Sequence, residues 1–562
     1  MACAAIIWWQ KSRGPEAHTF RHLSVVNRMS EQQLVLSGPQ LRKRLPEISP
    51  GEYLLQRLRL HGDRTAQIYL EYGRSFTFSQ LAQQACSVAQ ELRARDVREG
   101  DIVAVCSHVR PEFTPIMLGT MFTGAALAPL TTAYDRNDFT SILSLLKPVI
   151  IFTVPDTQEL IRSVLSTLHL HTEVVVLGEN SSSWQKFLRH EVQQDFKVNE
   201  LTDLEDKTAL IMASSGTTGV PKCIIISQRS LLVELMIFND RRDVISEGDK
   251  MLLFSSPSWI SATILYYVAL DLGIELLAGS KFEEEAFFKI VRDHKVTFTF
   301  LSTNLVMSLA KCSVADEYDI SSLRCIFCAG SAMRKDAQLM AESVLGKKVC
   351  QAYGLTEILF LTIAVPGDGC KAGGSGRLVA LQTCKVVDVE TGHAMGANAE
   401  GELCFKGPTL TKGYYHNPAA TAGTIDEDGW LHSGDIGYYD DNGFIYVVDR
   451  IKDLIKYRGF HITPVEIETQ LLEHPGVKEV AVVGVDDDLD QEHPLAVVVR
   501  QPGSDVTEEE LMQFAASRMA EYKWLRGGVR FEDHLPKTST GKIARRAVKR
   551  MIMSRVGSVR NN

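Results

Sequence analysis

Short apolar runs alternate with helix-like amphipathic stretches through most of this chain. Ile102–Cys106, Val149–Thr153 and Val174–Leu177 are examples of the runs. Runs of that length read as buried strands, and strands separated by helices imply parallel sheets covered by helices. The alternation extends from about Thr65 to Asp449. Two longer uncharged runs, Phe113–Tyr134 and Met251–Leu270, reach membrane-span length. The first holds Pro115, Gly119, Gly124, Pro129 and five threonines, and the second holds Pro257, four serines and Thr263. That composition interrupts a span. Both runs read as buried helix and strand segments joined by turns, and no transmembrane segment is expected.

The pattern changes near Asp449-Arg450. Beyond a basic loop, Thr463-Pro464-Val465-Glu466 predicts a helix start: threonine as cap, proline in the first turn, and glutamate completing a capping box. The helix should stop before Pro475-Gly476. Strand-like runs Glu479–Val485 and Leu495–Arg500 follow, then a helix from Glu508 to about Met519. This is a small α+β unit of roughly 110 residues, within the range of an independent domain.

Composition narrows the function classes. The 562 residues are 45% apolar and 23% charged, with a net charge of −9, which is globular and argues against nucleic acid as the main partner. Eleven scattered cysteines form no framework. Cys325 and Cys328 make a lone C-x-x-C without a second pair at zinc spacing, and read as small residues on a buried strand. Residues 1–30 form a leader. Its basic residues Lys11, Arg13, Arg21 and Arg28, against the single acid Glu16, fit either a mitochondrial transit peptide or an unstructured extension. Localisation is accordingly read as cytoplasmic or mitochondrial. The closing Arg560-Asn561-Asn562 is not the Ser-Lys-Leu peroxisomal address.

The chemistry concentrates in Ser214-Ser215-Gly216-Thr217-Thr218-Gly219-Val220-Pro221-Lys222-Cys223, directly after the strand-like Ala209–Met212. Glycines let the backbone approach phosphate oxygens, and the hydroxyls and lysine add donors. The spacing is not that of a Walker loop, since only two residues separate Gly216 from Gly219 and Pro221 precedes the lysine. Composition alone leaves a polyphosphate loop and an ordinary polar turn equally open.

The run resembles the phosphate loop of the adenylate-forming superfamily, which includes acyl-CoA synthetases, 4-coumarate:CoA ligases and beetle luciferases. The resemblance recurs in order from about Thr65 to Arg546: at Gln351-Ala352-Tyr353-Gly354-Leu355-Thr356-Glu357, at Gly429–Asp435, at Val448–Gly459, and at Leu535–Lys542. It implies an α/β fold with a large N-terminal domain of helix-covered sheets (31–449), a hinge (450–452) and a small mobile α+β C-terminal domain (453–555). It implies ATP, Mg²⁺ and the co-substrate CoA, with a small carboxylic acid as the other partner and a monomer or homodimer as the assembly.

The resemblance also assigns residues. Ser214, Ser215, Gly216, Thr217, Thr218, Gly219 and Lys222 would hold the β- and γ-phosphates, and Thr356 the α-phosphate. Glu357 would help bind Mg²⁺. Tyr353 would stack on adenine, with Gly330 and Ala332 letting the base approach the backbone, and Gln351 and Gly354 belong to the same site. Asp435 and Arg450 would hold the ribose. Lys542 would bridge carboxylate and α-phosphate during adenylation. Lys456, Arg458 and Gly459 would line a CoA channel in the thioester step, and Lys452 would be the pivot between the two arrangements. Lys542, Lys456, Thr218 and Glu357 are the candidate catalytic set.

Three positions depart from the family pattern: Cys223 replaces a glycine, Gln228 a histidine, and Trp259 a histidine of the luciferase acyl pocket. The first two are expected near the nucleotide or acyl site. Trp259 narrows the pocket and accepts no hydrogen bond, which argues against light emission more than against thioester formation. The reading is an ATP-dependent carboxylate–CoA ligase for a hydrophobic acid, either a fatty acid or an aryl-propenoate. Alternatives are a luciferin-type monooxygenase, a non-catalytic binding homologue, and adenylation onto a carrier-protein thiol.

Overall fold

The structure, a computed structural model, describes residues 34–559 apart from 191–194, 215–221, 243, 313, 367–368, 459, 488 and 538–542. The leader therefore lies outside the described residues, as do Ser215–Pro221, Gly459 and Lys542.

Two large sheets dominate the N-terminal part. One has six strands in the order Glu173–Val176, Ile150–Thr153, Ile102–Cys106, Ala126–Leu130, Thr208–Ser214, Lys222–Ser227, parallel except for the last pair. The other has nine strands. Its central run (Lys348–Leu355, Cys325–Ala329, Phe298–Ser302, Lys250–Leu253, Glu275–Ala278, Thr65–Tyr69) is parallel, and antiparallel strands flank it at both ends.

The alternation of strand side chains explains the layering. Val103 and Val105 join the same buried cluster as Met251 and Leu253, so one face of each sheet meets across a shared set of helices. Ile102, Ala104 and Cys106 face the opposite way, against Phe139, Ile142 and Ile161. Helices between two sheets have no wet face. Phe113–Thr123 is buried along its whole length, and Ile260–Leu272 from Ala262 onward. A helix apolar all round is what such a position demands, and this accounts for the two uncharged runs. Among the described residues no helix is long and apolar enough to cross a membrane.

The parallel-sheet expectation misses a third sheet. Thr383–Val387, Gly401–Lys406, Leu431–Tyr439 and Ile445–Arg450 pair antiparallel. Buried positions in these strands are interrupted by half-buried ones, several of them polar or glycine, so they lack the unbroken apolar signature of the fully buried ones.

The small C-terminal part follows. Val477–Asp487 and Gln491–Arg500 form its long hairpin, joined by Ile455–Tyr457, Phe460–Ile462 and Gly528–Phe531, with helices Pro464–Leu472, Glu508–Ala516 and Arg545–Val559. The helix after Thr463 starts with Pro464 as expected, but the capping box does not form. Glu466 is drawn away to the ammonium of Lys523, so the predicted reciprocal bonds give way to an ion pair. At the junction, Asp449 is buried, and its carboxyl is pushed up to about 6 by that burial, against the pull of the Arg545 guanidinium. Arg545 also pairs with Glu468 and reaches Asp453 at 3.7 Å.

One buried carboxyl in the large domain has too few partners. Glu234, fully enclosed in helix Gln228–Asn239, accepts a bond from the Phe360 N–H (3.3 Å), while its Oε2 has no protein partner. Burial pushes it up to about 8. Between the ordinary carboxylate range and about 8 the folded protein holds a proton that the unfolded chain has released, so this group lowers stability as pH rises. The limiting slope is about 1.4 kcal/mol per pH unit. Glu234→Gln should remove that slope: from about pH 5.5 to about pH 7.5 the melting temperature of the wild type should fall relative to the variant, by the equivalent of roughly 1–3 kcal/mol. Parallel melting curves for the two across that range would contradict it.

Candidate active site

The site gathers where several strands end. Cys325–Ala329 and Lys348–Leu355 are adjacent parallel strands, and the loops leaving their carboxyl ends carry Gly330, Ala332, Thr356 and Glu357. That edge of an open α/β sheet is where ligands characteristically bind. Gly330 has φ +94°, and both Gly330 and Ala332 are exposed.

Gln351 takes a different part from the one expected. It is buried, its Oε1 accepts from the Met333 N–H and its Nε2 donates to the Met333 carbonyl, both at 2.8 Å. The same Nε2 donates to Gln338 Oε1 at 2.9 Å. With its amide spent in this way, Gln351 braces the Gly330–Met333 loop from beneath. Gly354 stands where the hairpin to Leu359–Ile363 shifts register, and a Cβ there would lie 2.3 Å from the Leu359 carbonyl oxygen. Only glycine fits that turn, which holds Thr356 and Glu357 at the strand end.

Asp435 is the centre of a second group. It is 3% exposed, yet both carboxylate oxygens are engaged. Tyr353 donates its hydroxyl to Oδ2 at 2.7 Å, and the Arg450 Nε, on the directly paired residue of the next strand, lies 3.0 Å from Oδ1. Burial and the Asp435 charge push the Tyr353 phenol well up, so it stays a donor. Tyr353 was expected to stack on adenine; its ring lies tilted against Phe405 at 5.7 Å while its hydroxyl fixes Asp435.

Glu402 was not singled out by the sequence. Its Oε1 accepts from the Gly434 N–H (3.0 Å) and its Oε2 meets His432 Nδ1 (2.7 Å). The stretch of strand leading into Asp435, where the pairing shifts register, is thereby clamped from the neighbouring strand.

A third group surrounds Glu357. Lys222 opens its strand opposite Ser214, so the two flank the phosphate-loop run. The Lys222 ammonium lies over the Tyr414 ring at 4.8 Å, and the Tyr414 hydroxyl donates to Glu357 Oε1 at 2.8 Å. Tyr414 was also missed. It arrives because the segment after Thr411 pairs with the strand of Lys222: Ile225 N–H donates to Gly413 O and Tyr415 N–H to Cys223 O.

The structure separates other expected residues. Cys223 does adjoin the phosphate-loop run, opposite Ala213, its thiol pushed up to about 12 by burial. Gln228 does not adjoin that run. It is buried at the far end of the strand pair, its Nε2 3.3 Å from the Thr208 carbonyl, six residues of strand from Ser214. At about 3.3 Å per residue that is roughly 20 Å away. Trp259 precedes helix Ile260–Leu272, half-buried against the main core, whereas Ile264, Leu265, Tyr266 and Tyr267 are core. Lys452, Lys456 and Arg458 are exposed. Lys456 N–H donates to Glu492 and the Arg458 guanidinium pairs with Asp490, partners within the small domain.

The description of an AMP-binding enzyme fits residues 54–415, and that of its C-terminal domain residues 466–542. The chain belongs to the AMP-binding enzyme family. This AMP-binding enzyme is 32% identical to a luciferin 4-monooxygenase of Nipponoluciola cruciata, over 94% of this chain and 100% of that one. It is likewise 32% identical to 4-coumarate–CoA ligase 3 of Oryza sativa subsp. japonica, over 90% and 93%. Among solved structures, MatB of Rhodopseudomonas palustris in its ATP-bound form superposes with a TM-score of 0.82 at 23% identity, covering 90% and 99% of the two chains, a likeness of fold. The luciferase-like enzyme of the nonluminescent Zophobas morio mealworm gives 0.69 at 29% identity, over 75% and 100%.

Glu402→Gln keeps the shape but weakens the clamp on Gly434 and His432, a charge-assisted pair of contacts of the order of 1.5–3 kcal/mol each. The KM for ATP should rise roughly tenfold with kcat changed less, because the loss falls on the positioning of Asp435. Unchanged ATP dependence in a pyrophosphate-release assay would show that the clamp is dispensable.

Proposed function

We propose that this AMP-binding enzyme is an ATP-dependent carboxylate–CoA ligase that converts a hydrophobic acid, a fatty acid or an aryl-propenoate, first to its acyl-adenylate and then to its CoA thioester. The observation that carries the reading is the hairpin turn at 354–358, which joins two clusters. On one side Tyr353 fixes Asp435 beside Arg450, a carboxylate suited to ribose hydroxyls; on the other Glu357 sits with Tyr414 and Lys222, a carboxylate and a cation suited to phosphates. A nucleotide lying along the turn would span both.

The chemistry follows from that arrangement. A carboxylate is a poor acyl donor because oxide is a poor leaving group. Its attack on the α-phosphorus forms a C–O–P link and expels pyrophosphate, and a thiol then displaces AMP. The protein must align the carboxylate with phosphorus, neutralise charge as it develops, and keep water out. Glu357 fits a Mg²⁺ ion, since a single carboxylate plus phosphate oxygens is a common setting for it; bound there, the ion would neutralise phosphate charge. Thr356 and the run 214–222 would orient the phosphates, and Lys542 would sit between carboxylate and α-phosphate. The luciferin 4-monooxygenases among the relatives favour a second reading, in which the adenylate meets O₂ instead of CoA; Trp259 weighs against it.

The first test is pyrophosphate release from ATP and Mg²⁺ over a panel of acids, with and without CoA. Release with thioester formation is expected, and little or no light with beetle luciferin. Emission comparable with a beetle enzyme would favour the second reading, and no release with any acid would favour a binding protein.

The two-step scheme has its own test. We infer that the small domain turns about Lys452, bringing Lys542 to the site for adenylation and the loop Lys456–Gly459 for thioester formation. Lys542→Ala should slow adenylation by about 10²–10³ and spare conversion of a supplied acyl-adenylate. A bulky residue at Gly459 should do the reverse, and Lys452→Pro should hold one orientation. Equal damage to both half-reactions from Lys542→Ala would overturn the scheme.

A further inference from the structure

Three cysteines meet beneath the Gly330–Met333 loop and take no part in the chemistry above. Cys325 and Cys350 lie on adjacent strands, and Cys370 lies on the loop that follows Leu359–Ile363. All three belong to one buried cluster, with Cys370 packed against it from its edge. Cys350 is fully buried, Cys325 4% exposed, and Cys370 half-buried. Cys370 Sγ donates to the carbonyl of Val349, the residue before Cys350, at 3.7 Å.

Strand register decides which pair can close. Cys325 is opposite Lys348, and Cys350 is opposite Phe327, so the first two thiols are two rungs apart. With strands about 4.8 Å apart and two residues of about 3.3 Å rise, their Cα atoms are roughly 8 Å apart. A disulfide requires Cα atoms within about 7 Å. Cys370, carried on a loop, is under no such restraint.

The cluster is wired to the proposed nucleotide site through one side chain. Gln338 Nε2 donates to the Val349 carbonyl at 2.7 Å and reaches Cys370 Sγ at 4.0 Å. Its Oε1 accepts from Gln351 Nε2 and from the Gly373 N–H, each at 2.9 Å. Gln351 in turn holds both backbone groups of Met333.

We propose that Cys350 and Cys370 form a peroxide-responsive thiol pair whose oxidation to a disulfide loosens the Gly330–Met333 loop and weakens ATP binding. The oxidant is a hydroperoxide. The Cys370 thiolate attacks one peroxide oxygen, the O–O bond breaks, and hydrogen peroxide leaves one oxygen on sulfur as a sulfenic acid and the other as water. Cys350 sulfur then displaces that oxygen, which departs as a second water with the Cys350 proton. Two thiols are oxidised by two electrons, and one peroxide is reduced to two waters. Cys370 is the half-buried member and Cys350 the fully buried one, so Cys370 meets the oxidant first. Joining the two sulfurs removes the donor on Val349 and draws Cys370 toward the strand, which displaces Gln338 and, through it, Gln351.

The experiment uses the full-length protein, reduced and then exposed to hydrogen peroxide. Free thiols are alkylated, linked peptides are identified by mass spectrometry, and binding of a fluorescent ATP analogue is measured in parallel. A Cys350–Cys370 peptide two hydrogens lighter is expected, together with an analogue Kd raised several-fold and restored by dithiothreitol. Cys370→Ser should bind the analogue like the reduced wild type and resist peroxide. Alkylation of both cysteines after peroxide, a Cys325–Cys350 link, or the same loss in Cys370→Ser would overturn the proposal, as would a Cys350–Cys370 link with binding unchanged. The binding arm rests on the nucleotide-site reading. Failure of the reduced protein to bind the analogue would count against that reading, and the linked peptide would still decide the thiol pair.

Discussion

The site is organised around one buried negative charge. Removing a carboxylate from water is costly unless partners replace the lost hydration, and Asp435 is almost entirely removed. Its partners come from two separate pieces of chain: Tyr353 at the end of a parallel strand of the nine-stranded sheet, and Arg450 across the antiparallel pair in the third sheet. Satisfying Asp435 therefore fixes how those two sheets approach each other. The hairpin turn that begins one residue after Tyr353 inherits that fixed origin, and with it Thr356 and Glu357. The buried charge thus also sets the position of Thr356 and Glu357.

Much of this was legible in the sequence, for physical reasons that differ by element. The buried strands and the central helices have no wet face, so their apolar runs are unbroken and easily read. Ile102–Cys106 is observed with the bounds read from the sequence, and Phe113–Thr123 and Ile260–Leu272 resolve the runs of membrane-span length into helices between sheets. The third sheet stayed hidden because glycine, charge and half-buried polar positions break up the apolar pattern of Gly401–Lys406 and Leu431–Tyr439. Gly429–Asp435 was recognised as a motif, but nothing local says that it runs into a strand clamped by Glu402.

The residues missed or misplaced share one cause. Tyr414 and Glu402 act through cross-strand neighbours, and Gln228 was placed by nearness in sequence to Lys222, although a strand separates them. Gln351 stood in the right motif with a different task, because its amide turns inward to the Met333 backbone. The unformed capping box shows the same limit at small scale. Thr463 and Glu466 have the right spacing, but Lys523, 57 residues away in the chain, offers Glu466 a full opposite charge.

The ion pair between Asp435 and Arg450 has a mechanical side. Arg450 is the last residue of its strand, and the single turn Ile451–Asp453 begins directly after it. Any hydroxyl that takes up a lone pair of Asp435 must share the carboxylate with Arg450 or dislodge it. The ion pair thus ties the start of the segment that joins the two parts of the molecule to the carboxylate at the centre of the site.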